Sequence, residues 1–183
     1  MAKYKNFLKS YLNSFSEIIK CNEILAQKFV SVINILKKLK KNNKVHIFGN
    51  GGSATIASHF SMDLSNNSKI RCFNYNDPAV ITCFSNDFNF DKWISKSINK
   101  YGDRNDLLIL ISSSGESLNM INAVKIARKK NFCKIVTFTG FKKNNKLSRL
   151  GDINFWVDSK NYNKVEAAHN LYLLLIVDLI KKN

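Results

Sequence analysis

Proline and glycine are scarce: the 183 residues hold one proline and seven glycines. That excludes collagen-like and linker-rich architectures. The glycines fall between periodic segments, where turns belong. No apolar run approaches the roughly 20 residues of a membrane-spanning helix; near the C-terminus the longest is Leu171 to Val177. The N-terminal stretch MAKYKNFLKSYLNSF has neither an uninterrupted apolar core nor a small-residue cleavage site, so no secretory signal is expected. Four cysteines, Cys21, Cys72, Cys83 and Cys133, show no C-x-x-C spacing, and three sit in apolar segments. Reduced, buried thiols in a cytoplasmic protein are the expectation.

Acidic residues are also few, 13 against 29 Lys and Arg, for a formal net charge of +16. The lysines are spread along the whole chain, with short clusters at Lys37–Lys41, Lys129–Lys130 and Lys142–Lys143. Nucleic-acid binders concentrate charge on one element with groove-reading or aromatic residues interleaved. Neither a nucleic acid nor a membrane is therefore an expected partner. A field of this sign draws in anionic metabolites, and a phosphorylated substrate would benefit.

What is present is a core. Apolar residues make up 45% and aromatics 11%, enough for one domain over residues 1–183. Residues 1–40 carry Leu8, Leu12, Phe15, Ile19, Phe29, Ile33 and Leu36 at spacings of three and four, one long amphipathic helix or two in series. From residue 41 the pattern changes. Val45–Phe48, Leu107–Ile111, Lys134–Phe138 and Ile153–Val157 read as strands, with Ile70–Tyr75 and Val80–Cys83 also β-like. Helical stretches alternate with them: Ser53 to about Ser65, Phe90 to Lys100, Ser117 to Lys130 and Asn163 to Lys182. Wholly apolar inner strands alternating with helices predict a three-layer α/β/α sandwich around a parallel sheet. Ligands of such sheets bind at the carboxyl ends of the strands.

Two loops follow strands and open helices. Gly49-Asn50-Gly51-Gly52-Ser53 offers backbone freedom and close ligand approach at a helix start. Its Gly49-x-Gly51-x-x-Ala54 spacing also fits a dinucleotide fingerprint, with Asp77 placed for a ribose, but that pattern is unspecific. No Gly-Lys-Ser/Thr follows, so a phosphate loop of that type is excluded. The second loop is Ser112-Ser113-Ser114-Gly115-Glu116-Ser117. Ser113 with Glu116 spells a capping box, yet four serines around one glycine exceed what capping requires. Hydroxyls and free N–H groups at a helix N-terminus suit a phosphate monoester.

The two loops together, GNGGSATIASHFSMDL and DLLILISSSGES, resemble the sugar isomerase (SIS) family and its phosphoheptose isomerase branch. The stretches AVITCFSNDFNFD, KIVTFTG and VEAAH extend the resemblance nearly end to end. It implies conversion of sedoheptulose 7-phosphate to a heptose phosphate for cell-envelope sugars, in a homotetramer with sites between subunits, often with zinc and with no nucleotide cofactor. It assigns Ser112, Ser114 and Ser117, with Ser113 beside them, to the phosphate, and Asn50, Gly51, Ser53 and Asp87 to the sugar. His59 matches a metal-binding histidine, and Asp63 stands where the family has Glu.

The departures bear on chemistry. Aldose–ketose isomerisation needs a base near C1 and C2 and a second acid/base for the oxygens. Asp63 reaches about 1.5 Å less than Glu, one C–C bond. On the C-terminal helix the family's Gln is Glu166, its catalytic His is Leu174, and its Asp is Asn163. His169, three residues after Glu166, is the candidate to fill the vacancy. Asp63, Glu166 and His169 are thus the expected catalytic residues, and His59, Asp63, Glu166 and His169 the expected zinc donors. The alternative is a non-catalytic sugar-phosphate-binding or partner-binding protein on the same scaffold.

Overall fold

A computed structural model describes residues 1–182. The amphipathic N-terminal segment forms two helices in series, α1 (Ala2–Ile18) and α2 (Glu23–Lys38). Asn22 separates them, its side chain accepting from the Leu25 N–H at 2.9 Å. That is an N-cap, with Glu23 in the first turn and Lys37 and Lys38 in the last, as the helix dipole favours. The remaining order is β1 (Lys44–Gly49), α3 (Gly52–Asn67), β2 (Arg71–Phe73), α4 (Pro78–Phe88), a 3-10 turn (Phe90–Lys92), α5 (Trp93–Tyr101), β3 (Leu107–Ser112), α6 (Leu118–Lys129), β4 (Lys134–Thr139), α7 (Lys146–Leu150), β5 (Ile153–Trp156) and α8 (Tyr162–Lys181).

The five strands pair in parallel in the order β2-β1-β3-β4-β5. The period-2 alternation of strands divides the core into two layers. Ile47, Leu107, Ile109, Ile111 and Phe138 face Phe29 and Leu36 of α2, Phe60 and Leu64 of α3, and Leu173 and Ile176 of α8. Phe48, Leu108, Leu110 and Ile135 face Trp93 and Ile98 of α5, Met120 and Ala123 of α6, and Leu147 of α7. The expected three-layer sandwich is this fold. The strand order reverses direction between β1 and β3, and crevices at such switch points hold ligands. Both loops singled out in the sequence leave the sheet there.

Two expectations need correction. Val80–Cys83 is not a strand but the middle of α4. Asp77 accepts from the N–H groups of Ala79 (2.8 Å) and Val80 (3.2 Å), and Pro78 takes the first helical position. A cap and a proline at N1 start a helix whatever the β propensity of the four residues that follow. The same bonds use the Asp77 carboxylate that the dinucleotide pattern needed. The cysteines are all free, but Cys21 and Cys83 are exposed and only Cys72 is fully buried. Among the described residues no helix is long and apolar enough to cross a membrane.

Candidate active site

The first loop is built by its glycines. A β-carbon on Gly49 would collide with the Ser53 backbone, and Gly51 has φ +55°, a left-handed conformation that glycine adopts without strain. The chain can then turn so that Ser53 N–H donates to Asn50 O and Ala54 N–H to Gly51 O, both at 3.0 Å. Space in front of Gly51 is open. The Asn50 side chain points across to the start of α6, just after the second loop, where it exchanges two hydrogen bonds with the Asn119 amide. Asn50 Nδ2 donates to Asn119 Oδ1 at 3.1 Å, and Asn119 Nδ2 donates to Asn50 Oδ1 at 2.9 Å.

The second loop closes on itself. Gly115, at φ +67°, donates to Ser112 O at 2.9 Å, and the Asn145 side chain lies where a β-carbon on Gly115 would be. Asn145 is anchored in turn to Gly140 O and Lys142 O and caps α7. The hydroxyls of Ser112 and Ser117 are 3.1 Å apart, and Ser114 Oγ accepts from the Glu116 N–H at 3.3 Å. Ser113 Oγ is buried without a hydrogen-bond partner. The capping box does not form: Glu116 instead accepts from the Lys146 N–H and pairs with its ammonium at 3.1 Å. Ser117 is the N-cap of α6 by position, but its side chain makes no cap bond. Capping therefore leaves these hydroxyls available, beside the positive end of a 12-residue helix, which is what a phosphate dianion requires.

The ionisable residues lie between α3 and α8. His59 Nε2 is 3.1 Å from Asp63 Oδ2, one helical turn apart on α3, and the pair is partly exposed. Glu166 of α8 is half-buried, with its carboxylate against Gly52, where a β-carbon would overlap Oε2. Gly52, Thr55, His59, Glu166 and Asn170 line one open cleft of about 430 Å³. Thus Glu166 adjoins the first loop, and His59 carries the same cleft onward to Asp63.

His169 does not join them. It is fully buried, its Nε2 is 3.1 Å from Thr139 O, and its ring meets Phe138 edge-on at 5.8 Å. Burial pushes its imidazole down to about 4, against a weaker opposing effect of the Thr139 carbonyl. It faces the sheet, and Glu166 faces α3. Among the described residues no three His, Cys, Asp or Glu side chains are grouped to hold a metal ion. The four expected zinc donors therefore do not fit one ion within a single subunit. Asp87 is exposed at the end of α4, and its hydrogen bonds, from Asn86 Nδ2 (3.2 Å) and Cys83 Sγ (3.8 Å), stay on that helix.

Sequence reasoning missed Asn119 and Asn145, the two amides that hold the loops. The signal for Asn145 was its place before the short helix that it caps; Asn119 had none, because its partner is 69 residues away. It also passed over His46, whose Nε2 is 2.8 Å from Asp106 Oδ2, both fully buried. Those residues sit at the opposite, N-terminal ends of β1 and β3, with Lys44 3.0 Å from the same carboxylate. They stitch two strands and lie away from the loops.

The SIS domain family model matches residues 7–140. The chain is 32% identical over 180 residues to the phosphoheptose isomerase of Aliarcobacter butzleri, covering 94% of each chain. It is 30% identical over 191 residues to that of Vibrio parahaemolyticus, covering 98% of each. Among solved structures, the phosphoheptose isomerase of Francisella tularensis superposes with a TM-score of 0.86 at 26% identity, over 100% of this chain and 98% of that one. The phosphoheptose isomerase of Neisseria gonorrhoeae gives a TM-score of 0.89 at 24% identity, over 98% and 100%.

Proposed function

Since this chain belongs to the SIS domain family and to its phosphoheptose isomerases, we propose that it interconverts sedoheptulose 7-phosphate and an aldose heptose 7-phosphate through an enediol. One observation carries the reading. The glycine and serine loops stand side by side at the β1/β3 switch point, joined by the Asn50–Asn119 bonds, with a carboxylate at the first loop's edge.

Ser112, Ser113, Ser114 and Ser117 hold the phosphate with the N-terminus of α6, and Asn50, Gly51 and Ser53 meet the sugar. His59 and Glu166 line one cleft beside the first loop, and His59 is paired with Asp63, so the ionisable groups gather on one side of that loop. In the forward direction a carboxylate takes the C1 proton, a C1=C2 double bond forms, and the C2 oxygen is protonated. The O1 proton then leaves and C2 accepts a proton, so that C1 becomes an aldehyde. Asp63 and Glu166 carry these transfers, and His59 orients Asp63.

A second copy of the chain completes the site, in keeping with a tetramer. α1 buries no residue of its own and exposes Tyr4, Phe7, Leu8 and Leu12, and α4, which carries Asp87, also buries none. Apolar faces of this extent mark contacts with other subunits. Four free thiols support a cytoplasmic setting.

The test is turnover of sedoheptulose 7-phosphate in D2O, with deuterium appearing on carbon through the enediol. Asp63→Asn is expected to lower kcat by about 100-fold or more, the scale of losing a general base. Unchanged turnover in Asp63→Asn would remove the assigned base. Binding of the substrate with no turnover by the unaltered chain would replace the isomerase with a sugar-phosphate-binding protein.

A further inference from the structure

We propose that Asn119 is a positioning residue: held by the α6 backbone, it fixes the orientation in which Asn50 meets the sugar. The inference rests on the isomerase reading above, and it concerns a residue outside the two loop motifs.

The orientation is forced by a chain of donors and acceptors. The Met120 N–H donates to Asn119 Oδ1 at 3.0 Å, and only the oxygen end of an amide can accept that bond. Asn119 is 2% exposed, so its side chain is also confined by packing. Its Nδ2 is then directed at Asn50 Oδ1 (2.9 Å), and its Oδ1 receives Asn50 Nδ2 (3.1 Å). The amide of Asn50 cannot flip without placing oxygen against oxygen and nitrogen against nitrogen. Each of its ends has spent one bonding site of two, leaving one N–H and one lone pair for substrate hydroxyls.

The first loop alone would not achieve this. Asn50 sits between Gly49 and Gly51, residues that restrict its backbone little, and a free side chain loses rotamer freedom when a ligand immobilises it. The amide pair transfers that ordering to folding. It also couples the loop of β1 to the loop of β3, so that the sugar grip and the phosphate grip move as one unit. Asn119 touches no reacting atom in this scheme; it acts through Asn50.

The test is a double-mutant cycle between Asn50→Ala and Asn119→Ala, run on the full chain. The Met120 N–H also donates to Ser117 O at 3.1 Å, so Asn119→Ala keeps that donor satisfied and α6 its start. Asn119→Ser serves as a second variant, and melting curves verify that both fold. The expected result is a kcat about 10- to 100-fold lower in Asn119→Ala, the scale of a misplacement near 1 Å. Affinity for inorganic phosphate, which needs only the serine loop, is expected to be unchanged. In the Asn50→Ala background the same change is expected to cost almost nothing further, because neighbours acting as a unit are non-additive. Additive losses, an unchanged kcat, or a loss shared equally by inorganic phosphate would overturn the inference while leaving the isomerase in place. A wild-type chain that converts no ketose phosphate overturns the function itself, and this inference with it.

Discussion

The carboxylate of Glu166 lies against the Cα of Gly52, in space that any side chain at position 52 would occupy. Gly52 is the first residue of α3, and it is the far end of a flexible side chain, not backbone, that fills the gap. Gly52→Ala is therefore expected to fold and to displace Glu166 by an ångström or so. A loss of about 10- to 100-fold in kcat is the expected result. Glu166→Gln, which keeps the shape and removes the ionisable proton, is expected to lose at least as much. Full activity in both variants would free Glu166 of any part in proton transfer.

The serine loop makes a separate prediction. Ser112 and Ser114 present hydroxyls to a dianion, and each hydrogen bond to a charged group contributes about 1.5–3 kcal/mol. Replacing both by Ala is expected to weaken sugar-phosphate and inorganic-phosphate binding by about 100-fold or more, measured calorimetrically. Equal affinity before and after would show that the phosphate is held elsewhere.

Assembly follows from α1. Leu8 and Leu12 are more than half exposed, at 56% and 63%, so changing them disturbs no packing within one chain. The double variant Leu8→Glu, Leu12→Glu is expected to sediment as a smaller species with an unchanged circular dichroism spectrum. An unchanged mass would place the subunit contacts on another surface.

Acid stability is tied to buried groups. Burial lowers His169 to about 4, below the 6.5 of an unfolded histidine. Between those values the unfolded chain takes up a proton that the folded one refuses. Stability is therefore complete above pH 6.5 and declines as the pH falls toward 4, by about 3 kcal/mol in all. Burial would raise the Asp106 carboxyl, but hydrogen bonds from His46 and from the Asp103 and Lys44 N–H groups hold it well below the usual range. It adds a further loss as the pH drops below about 4, where the unfolded carboxylate protonates first. Melting temperature followed from pH 7 to pH 4 is expected to fall, and His169→Gln, which can still donate to Thr139 O, is expected to flatten that slope. A wild-type melting temperature independent of pH over this range would contradict the buried neutral histidine.

Much of the fold was legible in the sequence. β1, β3 and β4 are short, largely apolar runs because each is covered on both faces, and the helices that alternate with them supply that cover. Val80–Cys83 reads as β-like because four residues are too few to show a period of their own; Asp77-Pro78 is the signal that outweighs them. The phosphate loop was legible for a different reason. Its hydroxyls and its glycine are contiguous, so local chemistry is already the site.

The catalytic cleft was not contiguous, and there the sequence by itself could go only so far. It determined the two loops, the helices that carry His59, Asp63 and Glu166, and the layered parallel sheet. It could not settle which way His169 faces. Three residues turn a helix by about 300°, so His169 sits about 60° around from Glu166. Helix packing turned that small angle into two environments, one open against Gly52 and one sealed against Phe138 and Thr139. The Asn50–Asn119 bonds likewise belong to tertiary structure alone. Hydrogen bonds between residues 69 positions apart exist only after the sheet has set β1 beside β3.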